Sequence, residues 1–203
     1  LATADEEDVA EIFRRVNSGG QNLNENNFVE TLLAVYDNDV HDKIGKFCSA
    51  SRIAAAGTSY NQIIDAQPSH LIRMSVGLGF HRARLKYAYK LLRGKDLETG
   101  VISDETRDKN IGIFKTALEK VTDLNNWHSF LNLFAEAGYL NKSLVASNYV
   151  VVFSYVLYLL GKDEYKVQPI ELRKVITRWI FMTTVTSFYS NSPESTVERQ
   201  LAD

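Results

Sequence analysis

Cysteine and proline are both scarce in this 203-residue chain, and neither sign of charge dominates it. The single cysteine, Cys48, excludes an internal disulfide and has no local motif that would activate it, which predicts a buried thiol in a reducing, cytoplasmic compartment. Three prolines are ordinary for a helical protein. The net charge of −2 gives no overall basic field, so any contact with DNA needs a local patch.

Apolar runs long enough to cross a bilayer are also lacking. The most apolar stretch, residues 149–160, is shorter than the roughly 20 residues that a membrane-spanning helix needs. Ser154, Tyr155 and Tyr158 interrupt it. The stretch therefore predicts a buried core helix and a protein with no membrane partner.

Motifs of several catalytic classes do not occur. No P-loop is present, and the two glycines of residues 77–79 do not follow a strand, as a dinucleotide fingerprint would. No two histidines have the helical spacing of a metal-ligand pair. The four scattered histidines are His41, His70, His81 and His128. We therefore predict no catalytic residue and no metal site in this chain.

Helical periodicity runs through the chain, whereas strand-like alternation, repeats and low-complexity segments do not stand out. We predict an all-α fold, an irregular multi-helix bundle of about eight to ten helices, as one domain over residues 1–203. Capping residues, glycine and proline indicate the boundaries. Helices are predicted at 40–53, from Pro68 to a break at Gly77 and Gly79, at 81–93, from a Ser103 cap, at 127–138, at 144–160, from Pro169, and at 195–201, with a loop at 57–67.

The N-terminal segment, residues 1–38, is predicted to be a helix-turn-helix leader. Apolar residues at helical spacing follow an acidic first turn, and the first helix should stop in residues 17–20, where glycine permits positive φ. One interpretation is a simple glycine cap between two helices. The other is an anion or nucleotide pocket built from backbone amides and polar side chains. Its candidate residues are Arg15, Asn17, Ser18, Gly19 and Gly20.

Residues 81–93 form the most basic element of the sequence. At helical spacing, the cations fall on one face and the apolar residues on the other. The cations are Arg82, Lys86, Lys90 and Arg93. This face is either a phosphate-contacting stripe or an ordinary solvated face, and the pattern alone allows both.

Three stretches of the chain, in order, resemble the GmrSD-type restriction family. The first is Phe13-x-Arg15-x-Asn17-x-x-Gly20-x-x-Leu23, similar to the family signature F-x-R-x-N-x-x-G-x-x-L. The second is Gly79-Phe80-x-Arg82-x-Arg84-x-Lys86-Tyr87-Ala88-Tyr89-x-Leu91-Leu92-Arg93-Gly94. The third joins Arg178-Trp179-x-Phe181-Met182 to Tyr189-Ser190-x-Ser192-Pro193-Glu194-Ser195.

The resemblance implies the helical portion of a nucleotide-dependent DNA restriction or antiphage defence protein. Members of that family begin with a ParB/sulfiredoxin-like nucleotide-handling domain, which would be the partner of this portion, with DNA as a second partner. Arg15, Asn17 and Gly20 would complete its pocket, so an NTP is implied for the parent protein and no cofactor for this portion alone.

Two family features are absent from this chain: the D-G-Q-Q-R motif of the nucleotide site and a His-x-x-x-Asn-type nuclease motif. We therefore expect a helical piece of a longer protein that is not catalytic by itself. The alternative is a non-catalytic helical scaffold or protein-interaction domain, in which Arg15 and Asn17 only fasten the first helix to its neighbours.

Overall fold

The computed structural model describes residues 29–31, 33–34, 37–97, 99–190 and 193–202. Within these ranges the protein is all-α, with no β-strand and one isolated antiparallel bridge between Lys95 and Ile102. Residues 29–31 and 33–34 are helical. The helices that follow are α1 Asn38–Ala50, α2 Pro68–Phe80, α3 Leu85–Leu92, α4 Asp104–Thr122, α5 Leu124–Glu136, a 3₁₀ turn Lys142–Leu144, α6 Asn148–Asp163, α7 Pro169–Val185 and α8 Pro193–Ala202.

Helix starts follow local capping chemistry closely. The side chain of Ser103 accepts a hydrogen bond from the backbone N–H of Thr106, and the side chain of Asp123 accepts one from Asn126. Such caps satisfy amides that have no partner in the first turn. Pro68 and Pro169 open α2 and α7 as predicted, because their fixed φ suits the first turn of a helix.

The centre of the fold is formed by α2 and α6. Seven consecutive residues of α2, 71–77, are buried, and so are residues 150–156 of α6. Helix α2 packs against α4 and α6, while α6 packs against α7. The predicted buried helix around residues 149–160 is thus confirmed, and Trp127 of α5 is a fully buried core anchor.

Two helix ends predicted at glycines are wrong, and close packing explains the glycines there. Gly77 and Gly79 do not break α2, which continues to Phe80. A Cβ on Gly77 would lie 3.0 Å from a Val156 methyl, and one on Gly79 would lie 3.1 Å from an Ile113 methyl. Likewise α6 does not end at Gly161 but continues to Asp163. The absence of a side chain at Gly161 leaves room for Leu172 of α7. These glycines serve helix–helix contact rather than helix ending.

The predicted helix 81–93 is shorter in the structure. His81 adopts a left-handed conformation with φ of 53° and ends α2, and α3 begins only at Leu85. Residues 81–84 are therefore a connection between two helices. The far end of α3 is held by Asn110, whose buried side-chain amide donates to the Leu91 carbonyl at 2.7 Å. This tertiary contact fixes the C-terminal end of α3 against α4.

Candidate functional site

The residues proposed for a nucleotide pocket, Arg15, Asn17, Ser18, Gly19 and Gly20, lie outside the described residues. So does most of the predicted leader 1–38. Their role stays a prediction from sequence.

Three of the four predicted phosphate-contacting residues meet at one aromatic ring. The guanidinium carbon of Arg82 lies 5.2 Å from the centroid of the Tyr87 ring, the Lys86 ammonium 5.2 Å and the Lys90 ammonium 6.0 Å. These four residues form what we term the Tyr87 cluster. The negative face of an aromatic ring attracts cations, which favours gathering like charges at this position.

The members of the Tyr87 cluster differ in their access to ligands. Lys86 is exposed and Lys90 is half-buried, and in the described part of the chain neither pairs with a carboxylate. Arg82 pairs with Glu198 at 3.0 Å. The two lysines therefore present positive charge to solvent, whereas Arg82 is already engaged.

Arg93 does not join the other three predicted residues. Its guanidinium carbon lies 5.4 Å from the centroid of the Tyr89 ring, and its Nη1 donates to the Tyr89 hydroxyl at 2.7 Å. Because α3 ends at Leu92 and Arg82 precedes it, the single four-cation helical face of the prediction does not form.

A second set of contacts joins the 81–84 connection to α8, and sequence reasoning missed it. Oε2 of Glu198 accepts hydrogen bonds from the backbone N–H groups of Ala83 at 2.7 Å and Arg84 at 3.2 Å. Oε1 accepts one from Arg82 at 3.0 Å. Arg84 also donates to the Ser195 hydroxyl at 3.0 Å. One carboxylate of α8 thus satisfies two backbone amides and a guanidinium.

Arg73 of α2 extends this contact into the core. It is buried, forms an ion pair with Glu194 and lies over the Tyr149 ring at 5.6 Å. The sequence signal was the i, i+4 spacing of Glu194 and Glu198, which places both carboxylates on one face of α8. Their partners lie more than a hundred residues away, so the spacing could not have identified them. We term Glu194, Glu198 and their partners the α8 clamp.

The outer face of α7 carries exposed large apolar residues among charged ones. Its exposed large apolar residues recur along one side of the helix, while Leu172, Ile176 and Ile180 on the opposite side are buried. The exposed set is Ile170, Val175, Phe181, Met182 and Val185. An open cleft of about 760 Å³, with a largely apolar lining that includes Val175, Met182 and Leu201, lies beside this face.

The titratable groups of the described chain do not form an evident catalytic centre. Burial raises the pKa of Cys48 to about 12, so its thiol is neutral and unreactive at neutral pH, in line with the sequence prediction. Burial, with the nearby charge of Arg73, lowers the pKa of His70 to about 4. Across the described residues, no group of three or more His, Cys, Asp or Glu side chains could hold a metal ion.

Among the described residues, no helix is both long and apolar enough to span a membrane. Comparison of the chain with protein-family models, with curated proteins and with solved structures finds no match in any of the three. The fold and the site define an all-α protein, over the described residues, with a cationic aromatic cluster at α3.

Proposed function

We propose that this chain is the helical, DNA-contacting portion of a nucleotide-dependent restriction or defence protein similar to the GmrSD type. The observation that carries the proposal is the Tyr87 cluster. Lys86 and Lys90 lie beside one ring and pair with no carboxylate in the described chain, whereas Arg82, the third cation at this ring, is paired with Glu198. Backbone phosphates are the natural partners of such a patch.

Local charge is what matters here, because the net charge of the chain is −2. Two exposed or half-buried ammoniums held near a ring can replace counterions along a phosphate backbone, and a ring beside them adds a surface for an unpaired base. The contact would be weak and salt-dependent. It suits a portion that positions DNA for chemistry performed elsewhere in the parent protein.

The nucleotide part of the proposal rests on sequence resemblance. In it, Arg15, Asn17 and Gly20 complete a pocket whose other half belongs to a ParB-like domain, and an NTP is the ligand of the parent protein. Arg15→Ala in that parent is expected to abolish nucleotide-dependent activity while leaving the fold unchanged. An Arg15→Ala protein that unfolds, or that remains fully active, would contradict the pocket.

The DNA contact is tested by fluorescence anisotropy of a labelled duplex at low and moderate salt. Changing Lys86 and Lys90 to Ala together is expected to weaken binding about tenfold or more at low salt. It should also reduce the slope of log K against log salt by roughly 2, one for each lost phosphate contact.

The matched control is the double change of Lys43 and Lys46 to Ala. Both lysines are exposed on α1, so the net charge changes equally, and neither belongs to the Tyr87 cluster. If both double variants weaken DNA binding equally, net charge alone explains the effect. DNA binding would then not be assigned to the Tyr87 cluster. No binding by the wild-type chain at low salt would overturn the proposal of DNA contact altogether.

A second candidate function, a protein-interaction scaffold, is favoured by the exposed face of α7. This helix carries Lys174 and Arg178 against one acidic residue, Glu171, while its third basic residue, Arg173, pairs with Glu136 at 2.8 Å. Exposed apolar side chains interspersed with Lys174 and Arg178 complement an amphipathic helix that combines an apolar stripe with acidic residues, and such a helix is the proposed partner.

Two synthetic peptides test the scaffold reading, one with a leucine stripe flanked by glutamates and its twin flanked by lysines. The acidic peptide alone is expected to bind, and Phe181→Asp with Val185→Asp should remove binding. Ile53→Asp is the control, since Ile53 is 69% exposed outside α7. Equal binding of both peptides, or of neither, rules out the stated partner.

A further inference from the structure

The connection between α2 and α3 carries the set of donors that proteins use to hold phosphate. Two consecutive backbone N–H groups, of Ala83 and Arg84, point at one oxygen at 2.7 and 3.2 Å. The Arg82 guanidinium reaches the neighbouring oxygen at 3.0 Å. Adjacent amides at a helix start, joined by a guanidinium, bind phosphate in many proteins.

These three donors already bind an anionic group in the structure. The oxygens belong to Glu198 of α8, whose side chain is only 12% exposed. The arginine beside it, Arg84, meets the neutral Ser195 hydroxyl rather than a carboxylate in this contact. A carboxylate and a phosphate differ in charge and oxygen number, but both accept from the same donors.

Helix α8 is held to the body of the domain largely by polar contacts. In this ten-residue helix, Val197 is buried and Leu201 is half-buried. The remaining contacts include the ion pairs of Glu194 and Glu198. A short helix with little buried apolar surface can open locally at a lower free-energy cost than the whole domain, and here that cost includes the ion pair of the buried Arg73.

We propose that α8 is an autoinhibitory strap, and that Glu198 occupies an anion site at residues 82–84 which takes a phosphate group when α8 is displaced. The site shares Arg82 with the Tyr87 cluster, so a phosphate bound there continues the path of Lys86 and Lys90. The assignment of that phosphate to nucleic acid rests on the proposed function. The anion site itself stands on the hydrogen bonds of Glu198.

The first test removes the charge of Glu198 in the full chain. Glu198→Gln is expected to bind labelled duplex DNA roughly threefold to tenfold more tightly than the wild type, because the competing anion is lost. Glu171→Gln is the matched control, since Glu171 is an exposed carboxylate on α7 and its loss changes the net charge equally. It should change affinity less than twofold.

The second test uses the wild-type chain and so does not depend on how a variant folds. Amide hydrogen exchange of residues 193–201 is followed with inorganic phosphate, with duplex DNA, and with chloride at matched ionic strength. Acceleration beyond the chloride control is expected where a phosphate displaces α8. Acceleration by DNA alone assigns the site to nucleic acid, whereas acceleration by phosphate alone assigns it to a free phosphate.

The outcomes separate this inference from the proposed function. The autoinhibitory role of α8 is contradicted if Glu198→Gln binds DNA no more tightly than Glu171→Gln and amide hydrogen exchange of residues 193–201 is unchanged. The lysine variants can still weaken DNA binding in that case, which preserves the proposed function. If the wild type and Glu198→Gln bind no DNA but phosphate accelerates α8 exchange, the DNA function fails and the anion site stands.

Discussion

The arginines of the α8 clamp and the lysines of the Tyr87 cluster carry the same charge in different surroundings. Arg73 is buried and pairs with Glu194, and Arg82 pairs with Glu198. Lys86 and Lys90, a few residues further on, meet a ring and solvent. All four cations lie near an aromatic ring, so the carboxylate makes the difference: the paired arginines contribute to structure, whereas the two lysines stay available for a ligand.

The largest expected effect concerns the turn that holds α3, and with it both lysines, against α4. Gly94 has φ of +80°, and a Cβ there would collide with the carbonyl oxygen of Ser103 and lie 2.8 Å from Arg107. Gly94→Ala is therefore expected to lower the free energy of unfolding by about 3 kcal/mol or more, measured by urea denaturation. A well-folded and equally stable variant would show that the close approach of this turn to α4 does not require a glycine at position 94.

Gly100→Ala is the control for this turn. Gly100 also has a positive φ, of +76°, but the nearest atom to an added Cβ is the Lys95 Cε at 3.9 Å. Only the conformational cost should remain, about 1 kcal/mol. Similar losses in both variants would mean that backbone conformation, and not close approach, sets the effect at Gly94.

Removing the buried partner of Glu194 comes next in size. Arg73→Leu leaves a carboxylate that is 27% exposed without its ion pair, and the expected loss of stability is about 2 to 3 kcal/mol. Arg173→Leu breaks a pair of the same kind with Glu136, but the Arg173 side chain is 65% exposed, so less than about 0.5 kcal/mol is expected. Denaturant melts of both variants give the comparison, and equal losses would contradict it.

A pH effect at the base of α2 is the third prediction. Burial and the charge of Arg73 lower the pKa of folded His70 to about 4, against an ordinary value near 6.5. As pH falls the unfolded chain therefore takes the proton first, and stability is lost between about pH 6.5 and 4. Between pH 7.5 and pH 5 the residue should cost the folded state about 2 kcal/mol.

His70→Gln isolates the contribution of this group from other titrating residues. A glutamine at this position can keep the capping interaction with the backbone of Gln67 and does not titrate. The variant should lose about 2 kcal/mol less stability than the wild type over the same pH range, by denaturant unfolding at each pH. Identical pH profiles would place the titration of His70 near its ordinary value.

The smallest expected effect on stability is that of the exposed lysines. Changing Lys86 and Lys90 to Ala should alter the free energy of unfolding by less than about 1 kcal/mol, while strongly weakening DNA binding. Thermal or urea melts beside the anisotropy titration measure the two quantities. A large loss of stability would show that these lysines contribute to the structure, as the arginines of the α8 clamp do.

Local chemistry predicted much of the fold. The cap at Ser103, the prolines that open α2 and α7, and the apolar run of α6 all act within a few residues, so their effects can be read in order along the chain. The helix ends predicted at the glycines of α2 and α6 were wrong, because the role of these glycines depends on residues of other helices. Those residues are Val156, Ile113 and Leu172.

In the candidate site too, local contacts could be predicted from the sequence and contacts between distant segments could not. The sequence by itself determined an all-α chain, a buried Cys48 and one shared helical face for Lys86 and Lys90, since side chains four residues apart meet on one helix. Only the tertiary structure decided that Arg82 would be paired by Glu198 and that α8 would cover residues 82–84. These contacts join segments far apart in sequence, and packing of the whole chain brings them together.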